Sequence, residues 1–491
     1  MRFGRPTSWT ARPTRAAVFV LAATLPLLLS RPARAGQRSR RPPPAARAWD
    51  EKRIGLPRVG GALAFVPHAP TPHVILMVSG EHGWDRTMTD LARRIAPQAV
   101  VVGISYPALK RAAARETGCW YVAADFEMLS HAAQKLLRLP QYHPPVLVGF
   151  GEAAAVVYAA MAGGPATTFA GVVSAGFCPT VAIRREICSG DTWSPEYDDR
   201  RRADSLPPSR TLPKDWYLLE GARNAACPAD TARRFTAGLP KTHLGTVDGL
   251  ERALQDLWTE KDVKPPAAQP RTATTRELED ALQALQLPLE FRWPAQVSSL
   301  LLFFSGDGGW ASLDEEVAEQ LVTRGVGVIG VSSLRYFWQP KTPSQVAGDI
   351  RRLAGVLAGS GRPIFAGGFS FGAEVVPVAL TAWAAADRRT LAGLVLISPG
   401  PSASFEIDPL DWIRQPAENP ETRVAPAVRA LAIPTLCVSG SDEQESGCAP
   451  LAGAPLVQAV RLPGSHHFNS DYTAVGEAVA RFIRAAGERH P

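Results

Sequence analysis

Gly368-Phe369-Ser370-Phe371-Gly372 lies between an apolar run, Pro363 to Ala366, and a stretch of small residues from Ala373 onward. It reads as a sharp turn from strand into helix with a serine at its apex, the G-x-S-x-G pattern. Glycines flank the serine because so tight a turn brings strand and helix too close for side chains. In a chain with 41 Gly among 491 residues the pentapeptide alone is a moderate signal, so its weight depends on partners. Asp442 follows the apolar run Thr435 to Ser439, and His466-His467 follows Val457 to Leu462. Each of the three groups stands just past a predicted strand, and groups so placed meet at the carboxyl edge of a parallel sheet.

A serine hydroxyl is too weak an acid to attack an acyl carbonyl unaided. It needs an imidazole to take its proton and a carboxylate to hold that imidazole. The expected roles are Ser370 as nucleophile, Asp442 as orienting acid and His467 as base, with His466 as the rival base. The turn Pro463-Gly464-Ser465 is taken to present the residue just before Phe468; Glu443 and Glu445 are alternatives to Asp442 but read more as solvated loop charges. An oxyanion would be met by the backbone N–H of Phe371 and by one from Gly306-Asp307-Gly308, that is from Asp307 or Gly308. The order serine, acid, histidine is that of α/β-hydrolases.

The chain also repeats itself. Val74 to Trp84 (VILMVSGEHGW) matches Leu300 to Trp310 (LLLFFSGDGGW), and Val100 to Ser105 parallels Gly327 to Ser332. Val146 to Ala153 answers Ile364 to Gly372, Ala170 to Ser174 answers Ala392 to Leu396, and Leu218 to Arg223 answers Cys437 to Asp442. Such ordered self-similarity indicates a tandem duplication. In each copy short apolar runs alternate with helical stretches such as Leu313 to Arg324, which predicts mostly parallel sheets with helices on both faces. The first copy has Gly151 where the second has Ser370 and Arg223 where it has Asp442, and no histidine after Gly245. It keeps the scaffold and lacks the means of attack. The expected layout is a signal peptide over 1–35, a basic Pro-rich arm over 36–49, a degenerate α/β-hydrolase-like domain over 50–262, a linker over 263–288 and a catalytic domain over 289–491.

Charge supports that division. The formal charge is +7, yet residues 1–49 hold ten arginines and no acid, which leaves −3 on the remainder. A surface that tracks nucleic-acid phosphates is therefore not expected. Arginines 2, 5, 12 and 15 precede the apolar run Ala16 to Leu29, and Ala33-Arg34-Ala35 ends in the small residues a signal peptidase reads. The run is too short to span a bilayer, so export to the periplasm is the expectation, with a basic arm able to meet an anionic phospholipid surface. Six cysteines then lie where disulfides form; their spacing resembles no zinc site, they allow 15 pairings, and no cofactor or metal is expected.

Ser305 to Trp310, Ser333 to Trp338 (SLRYFW), Gly368 to Pro377 (GFSFGAEVVP) and Leu462 to Phe468 (LPGSHHF) together resemble the bacterial virulence protein family VirJ, and the two-copy layout looks like its longer AcvB-like members. The resemblance implies a periplasmic α/β-hydrolase. For AcvB-like members it implies hydrolysis of aminoacyl-phosphatidylglycerol, chiefly the lysyl form, with catalysis by Ser370, Asp442 and a histidine at 466 or 467. It also implies an alternative, a non-enzymatic accessory protein of type IV secretion. A lysyl or alanyl group bears an ammonium, for which Asp307, Asp314 and Glu374 are candidate partners. Trp310, Tyr336, Phe337, Trp338 and Trp412 are candidates to line an apolar entrance, with core packing the competing reading for Trp310 and Trp338.

Overall fold

Each repeated apolar run became a strand. In the computed structural model the described residues are 47–189, 193–220, 227–228, 230–259, 273–407 and 422–490. The expected signal peptide, nearly all of the arm, the first part of the linker, Arg223 and Trp412 lie outside them. The first sheet contains β1 (Trp49–Leu56), β2 (Gly60–Pro67), β3 (Val74–Val78), β4 (Val100–Ile104), β5 (Val146–Phe150) and β6 (Gly171–Ala175). A small antiparallel sheet, β7 (Thr180–Val181), β8 (Glu196–Asp198) and β9 (Ala203–Ser205), interrupts before β10 (Trp216–Glu220) and β11 (Thr242–Thr246) complete the first. Its order is β1-β2-β4-β3-β5-β6-β10-β11, with β1 and β2 antiparallel and the rest parallel.

The second sheet has β12 (Leu289–Arg292), β13 (Ser299–Phe304), β14 (Val326–Val331), β15 (Ile364–Phe369), β16 (Leu391–Ile397), β17 (Thr435–Gly440) and β18 (Val457–Leu462). They run in the order β12-β14-β13-β15-β16-β17-β18, parallel except for β12 against β14. Without the extra hairpin strand and the small sheet, the two orders coincide. Both are the α/β-hydrolase arrangement.

Strands β13 to β17 are buried at every position, because helices cover both faces and neither side meets water. Leu300, Leu302 and Phe304 point into one core with Val375 and Ile350, while Leu301 and Phe303 point into the other with Val317 and Val479. From Arg47 onward the chain is one compact unit, and the two repeats meet directly. Lys135 Nζ donates to Trp338 O at 2.6 Å and pairs with Glu406 at 3.1 Å. Trp338 Nε1 donates back to Leu139 O at 2.9 Å. Tyr142, from the first repeat, is buried in a core of the second. Three disulfides, Cys119–Cys188, Cys178–Cys227 and Cys437–Cys448, use all six cysteines. No described helix is long and apolar enough to cross a membrane.

Candidate active site

β15 ends at Phe369 and a helix starts at Phe371, which leaves Ser370 alone to turn the chain. Its φ of 49° and ψ of −117° lie where a residue with a Cβ is strained, and that conformation lifts the hydroxyl off the end of the sheet. The turn is possible because of its glycines. A Cβ on Gly372 would stand 2.1 Å from Phe304 O and one on Gly368 2.3 Å from the same oxygen, both far inside contact distance. The strand-to-helix elbow read from the sequence is therefore present, one residue wide.

His466 Nε2 lies 2.9 Å from Ser370 Oγ, and His466 Nδ1 lies 2.6 Å from Glu443 Oε1. These contacts form a continuous hydrogen-bonded line from hydroxyl to carboxylate, with both ring nitrogens engaged. Two expectations are corrected. The base contact belongs to His466, whereas His467 is exposed, lies tilted beside the Phe369 ring and hydrogen-bonds no described residue. The carboxylate that meets the ring is that of Glu443 and not of Asp442, whose exposed carboxylate accepts from the neighbouring Ser441 hydroxyl at 2.9 Å. Far from being a solvated loop charge, Glu443 has a side chain only 9% exposed and accepts a second bond from Gly440 N–H at 3.2 Å. A Cβ on Gly440 would stand 2.2 Å from Ser465 O, so a glycine at the end of β17 is what lets the histidine loop come close. The Cys437–Cys448 bridge closes the loop that carries Glu443, restricting the conformations open to it.

On the other side of Ser370 stands the loop after β13. Gly306 faces the elbow, where a Cβ would meet the Phe369 ring at 3.2 Å and Ser370 Cβ at 3.9 Å. Asp307 is half-buried and Gly308 exposed, while Phe371 opens the helix whose first N–H groups have no intrahelical acceptor. Loop and helix terminus thus flank the hydroxyl, and N–H groups so placed can meet an oxyanion. Glu374, one turn along the helix, accepts from Gly400 N–H at 2.9 Å. Burial, reinforced by the charge of Asp307, pushes its pKa up to about 7, against the opposing pull of that N–H and of His466.

Other expected substrate contacts are core residues. Trp310 is 6% exposed, its ring lies on the face of Gly330 and its Nε1 donates to Glu315 at 2.6 Å. Tyr336 is 5% exposed and its hydroxyl donates to Asp349 at 2.5 Å. Both side chains are used inside the fold, which withdraws them from an entrance. Phe337 and Trp338 are fully buried as well. Asp314 is 2% exposed and accepts from Ala311 N–H at 3.0 Å, capping its helix from within. Nothing in the sequence signalled Glu443 over Asp442, since adjacent loop acids carry no period that would tell which one turns inward.

Residues 298–486 match the family described as bacterial virulence protein (VirJ). No curated protein matches the sequence. Among solved structures the chain is similar to Est1E from Butyrivibrio proteoclasticus, with 17% identity, 40% of this chain and 92% of that one covered, and a TM-score of 0.29. It is also similar to a dienelactone hydrolase from Anabaena variabilis, with 18% identity, coverage of 40% and 90%, and a TM-score of 0.31. An esterase domain from a Rhodothermus marinus protein gives 17% identity, coverage of 40% and 91%, and a TM-score of 0.29. The sheet order and the elbow make the C-terminal half an α/β-hydrolase fold, and residues 298–486 of it are similar to the VirJ family.

Proposed function

We propose that the chain is an exported serine esterase that removes the amino acid from aminoacyl-phosphatidylglycerol, lysyl or alanyl, and releases phosphatidylglycerol. The observation that carries the reading is the line Ser370 Oγ, His466 Nε2, His466 Nδ1, Glu443 Oε1, with both links within hydrogen-bond reach. In the first step Ser370 Oγ attacks the ester carbonyl carbon as its proton passes to His466 Nε2. The carbonyl oxygen takes up negative charge between the N–H groups of Phe371 and the Gly306–Gly308 loop. The C–O bond to glycerol then breaks, His466 returns the proton to the departing oxygen, and phosphatidylglycerol leaves. Water repeats the sequence against the acyl-serine, giving free amino acid and regenerated hydroxyl. Glu443 holds the ring and stabilises its cation.

The substrate class rests on the VirJ-family match and the AcvB-like two-copy layout; an aminoacyl ester of glycerol is an activated carboxylic ester suited to this chemistry. Export to the periplasm and contact with an anionic lipid surface rest on the arginine-then-apolar leader and the basic arm. The test is hydrolysis of lysyl- and alanyl-phosphatidylglycerol by the purified protein and by Ser370→Ala. Loss of at least about a thousandfold in rate with the fold intact is expected. Equal turnover by both proteins would contradict the reading.

A further inference from the structure

The first repeat lacks the reacting groups, yet one of its helices reaches the second repeat's candidate site. In the helix Val122–Leu136, residues 127, 131 and 135 recur every fourth position and so share one face. That face lies across the second domain. Lys135 bonds Trp338 O, and the His131 ring meets the Trp338 ring at 6.2 Å between centroids. Glu127 reaches the loop beside Ser370, where a carbon added to Gly308 would stand 3.6 Å from its Oε1. From a second point of the same domain, Thr167 Oγ1 donates to Trp310 O at 3.0 Å, holding the far end of that loop.

Among the described residues Glu127 makes no hydrogen bond or ion pair. As a whole residue it keeps some exposure, as the wall of a cleft does, while its carboxyl is closely surrounded. Burial, and after it the charge of Asp307, push that carboxyl up to about 8. Asp307 acts in the same direction on Glu374. A carboxyl so placed, with no lysine or arginine bonded to it, is unfavourable as a charge in the empty protein, and a cation entering beside it stabilises the carboxylate.

We propose that Glu127 of the first domain completes the substrate site of the second and, with Asp307 and Glu374, receives the ammonium of the aminoacyl group held at Ser370. This rests on the esterase reading above and gives the domain without a nucleophile a share in choosing the substrate. The lipid chains and the phosphate take no part in this contact; the charged amine does.

The test compares lysyl-phosphatidylglycerol with the same lipid acetylated on both amines, in mixed micelles, using the full chain. The readout is the ratio of kcat/KM for the free over the acetylated lipid in wild type, Glu127→Gln and Glu127→Lys. Glu127→Gln lowers the ratio about tenfold or more, mainly through KM, since a charge-assisted bond is lost, and Glu127→Lys lowers it further. A general folding defect would reduce both lipids alike, so a ratio unchanged in both variants overturns the proposal. Wild type active on both lipids with that unchanged ratio overturns this contact alone. Wild type inert toward both overturns the esterase reading, and the contact with it.

Discussion

The turn after β5 and the turn after β15 occupy equivalent places, and at the apex one carries glycine, Gly151, where the other carries Ser370. Gly151 has φ 58° and Ser370 has φ 49°, so both backbones make the same left-handed turn. Beside Ser370 is an imidazole. Beside Gly151, where a Cβ would begin, is the carboxylate of Glu81, with Oε2 2.5 Å from that point. Glu81 corresponds to Asp307 in the other copy, so the acid of the first loop fills the space that the second leaves for a hydroxyl. The packing pairs are alike in both: Trp84 lies on Gly103 as Trp310 lies on Gly330. Removing such a pair would open a cavity of several kcal/mol. Removing a catalytic hydroxyl leaves the core untouched, which is why a fold can outlive its chemistry.

The largest effect expected of a partner substitution is at the acid. Glu443→Gln should lower ester turnover by about a hundred- to ten-thousandfold, because the ring loses the group that orients it and stabilises its cation. Asp442→Asn should stay within about twofold, and steady-state kinetics on both variants decide between the two acids. Next comes an attempt to restore the first elbow. Gly151→Ser places a Cβ against Glu81 at a positive φ, so it should destabilise by about 1–3 kcal/mol and add no turnover in a Ser370→Ala background. Denaturant melts and a rate assay read both halves; any gain in rate would mean that the first domain keeps more of a site than its residues suggest.

The smallest effect concerns how each copy caps the helix after its tryptophan. Asp85 does so from an exposed position, accepting from Met88 N–H at 2.8 Å, whereas Asp314 is buried. Burial pushes Asp314 from 3.8 up to about 8, so the folded chain keeps a proton that the unfolded chain gives up at lower pH. The native state then binds more protons across that window, and stability falls as pH rises through it. Asp314→Asn keeps an acceptor for Ala311 and should flatten the slope of Tm between about pH 5 and 8.

The parts of the fold legible in the sequence are those governed by period and glycine. Val457–Leu462 is a strand over the very residues its apolar pattern marked, and the elbow is set by two positions that no other residue fits. The opening hairpin was not legible, because β1 reads WDEKRIGL and is mostly exposed, without the buried run that identified the other strands. Within the site, Ser370 followed from its flanking glycines. His466 against His467, and Glu443 against Asp442, did not, since neighbours in an irregular loop point different ways and only the approach at Gly440 decides which pair faces inward. Tyr336, and Trp310 until its core reading was met, stayed open for a different reason: an aromatic residue beside an elbow has the same appearance in sequence whether it meets a ligand or packs in the core. Glu127 lies some 240 positions before Ser370, and no local pattern ties the two.

The most direct measurement is peptide mapping after reaction with a fluorophosphonate in wild type, His466→Ala and His467→Ala. One label per wild-type chain is expected, on Ser370, with nothing in residues 47–259, near-complete loss in His466→Ala and retention in His467→Ala. Label elsewhere, or labelling of Ser370 that survives His466→Ala and disappears in His467→Ala, would contradict the account.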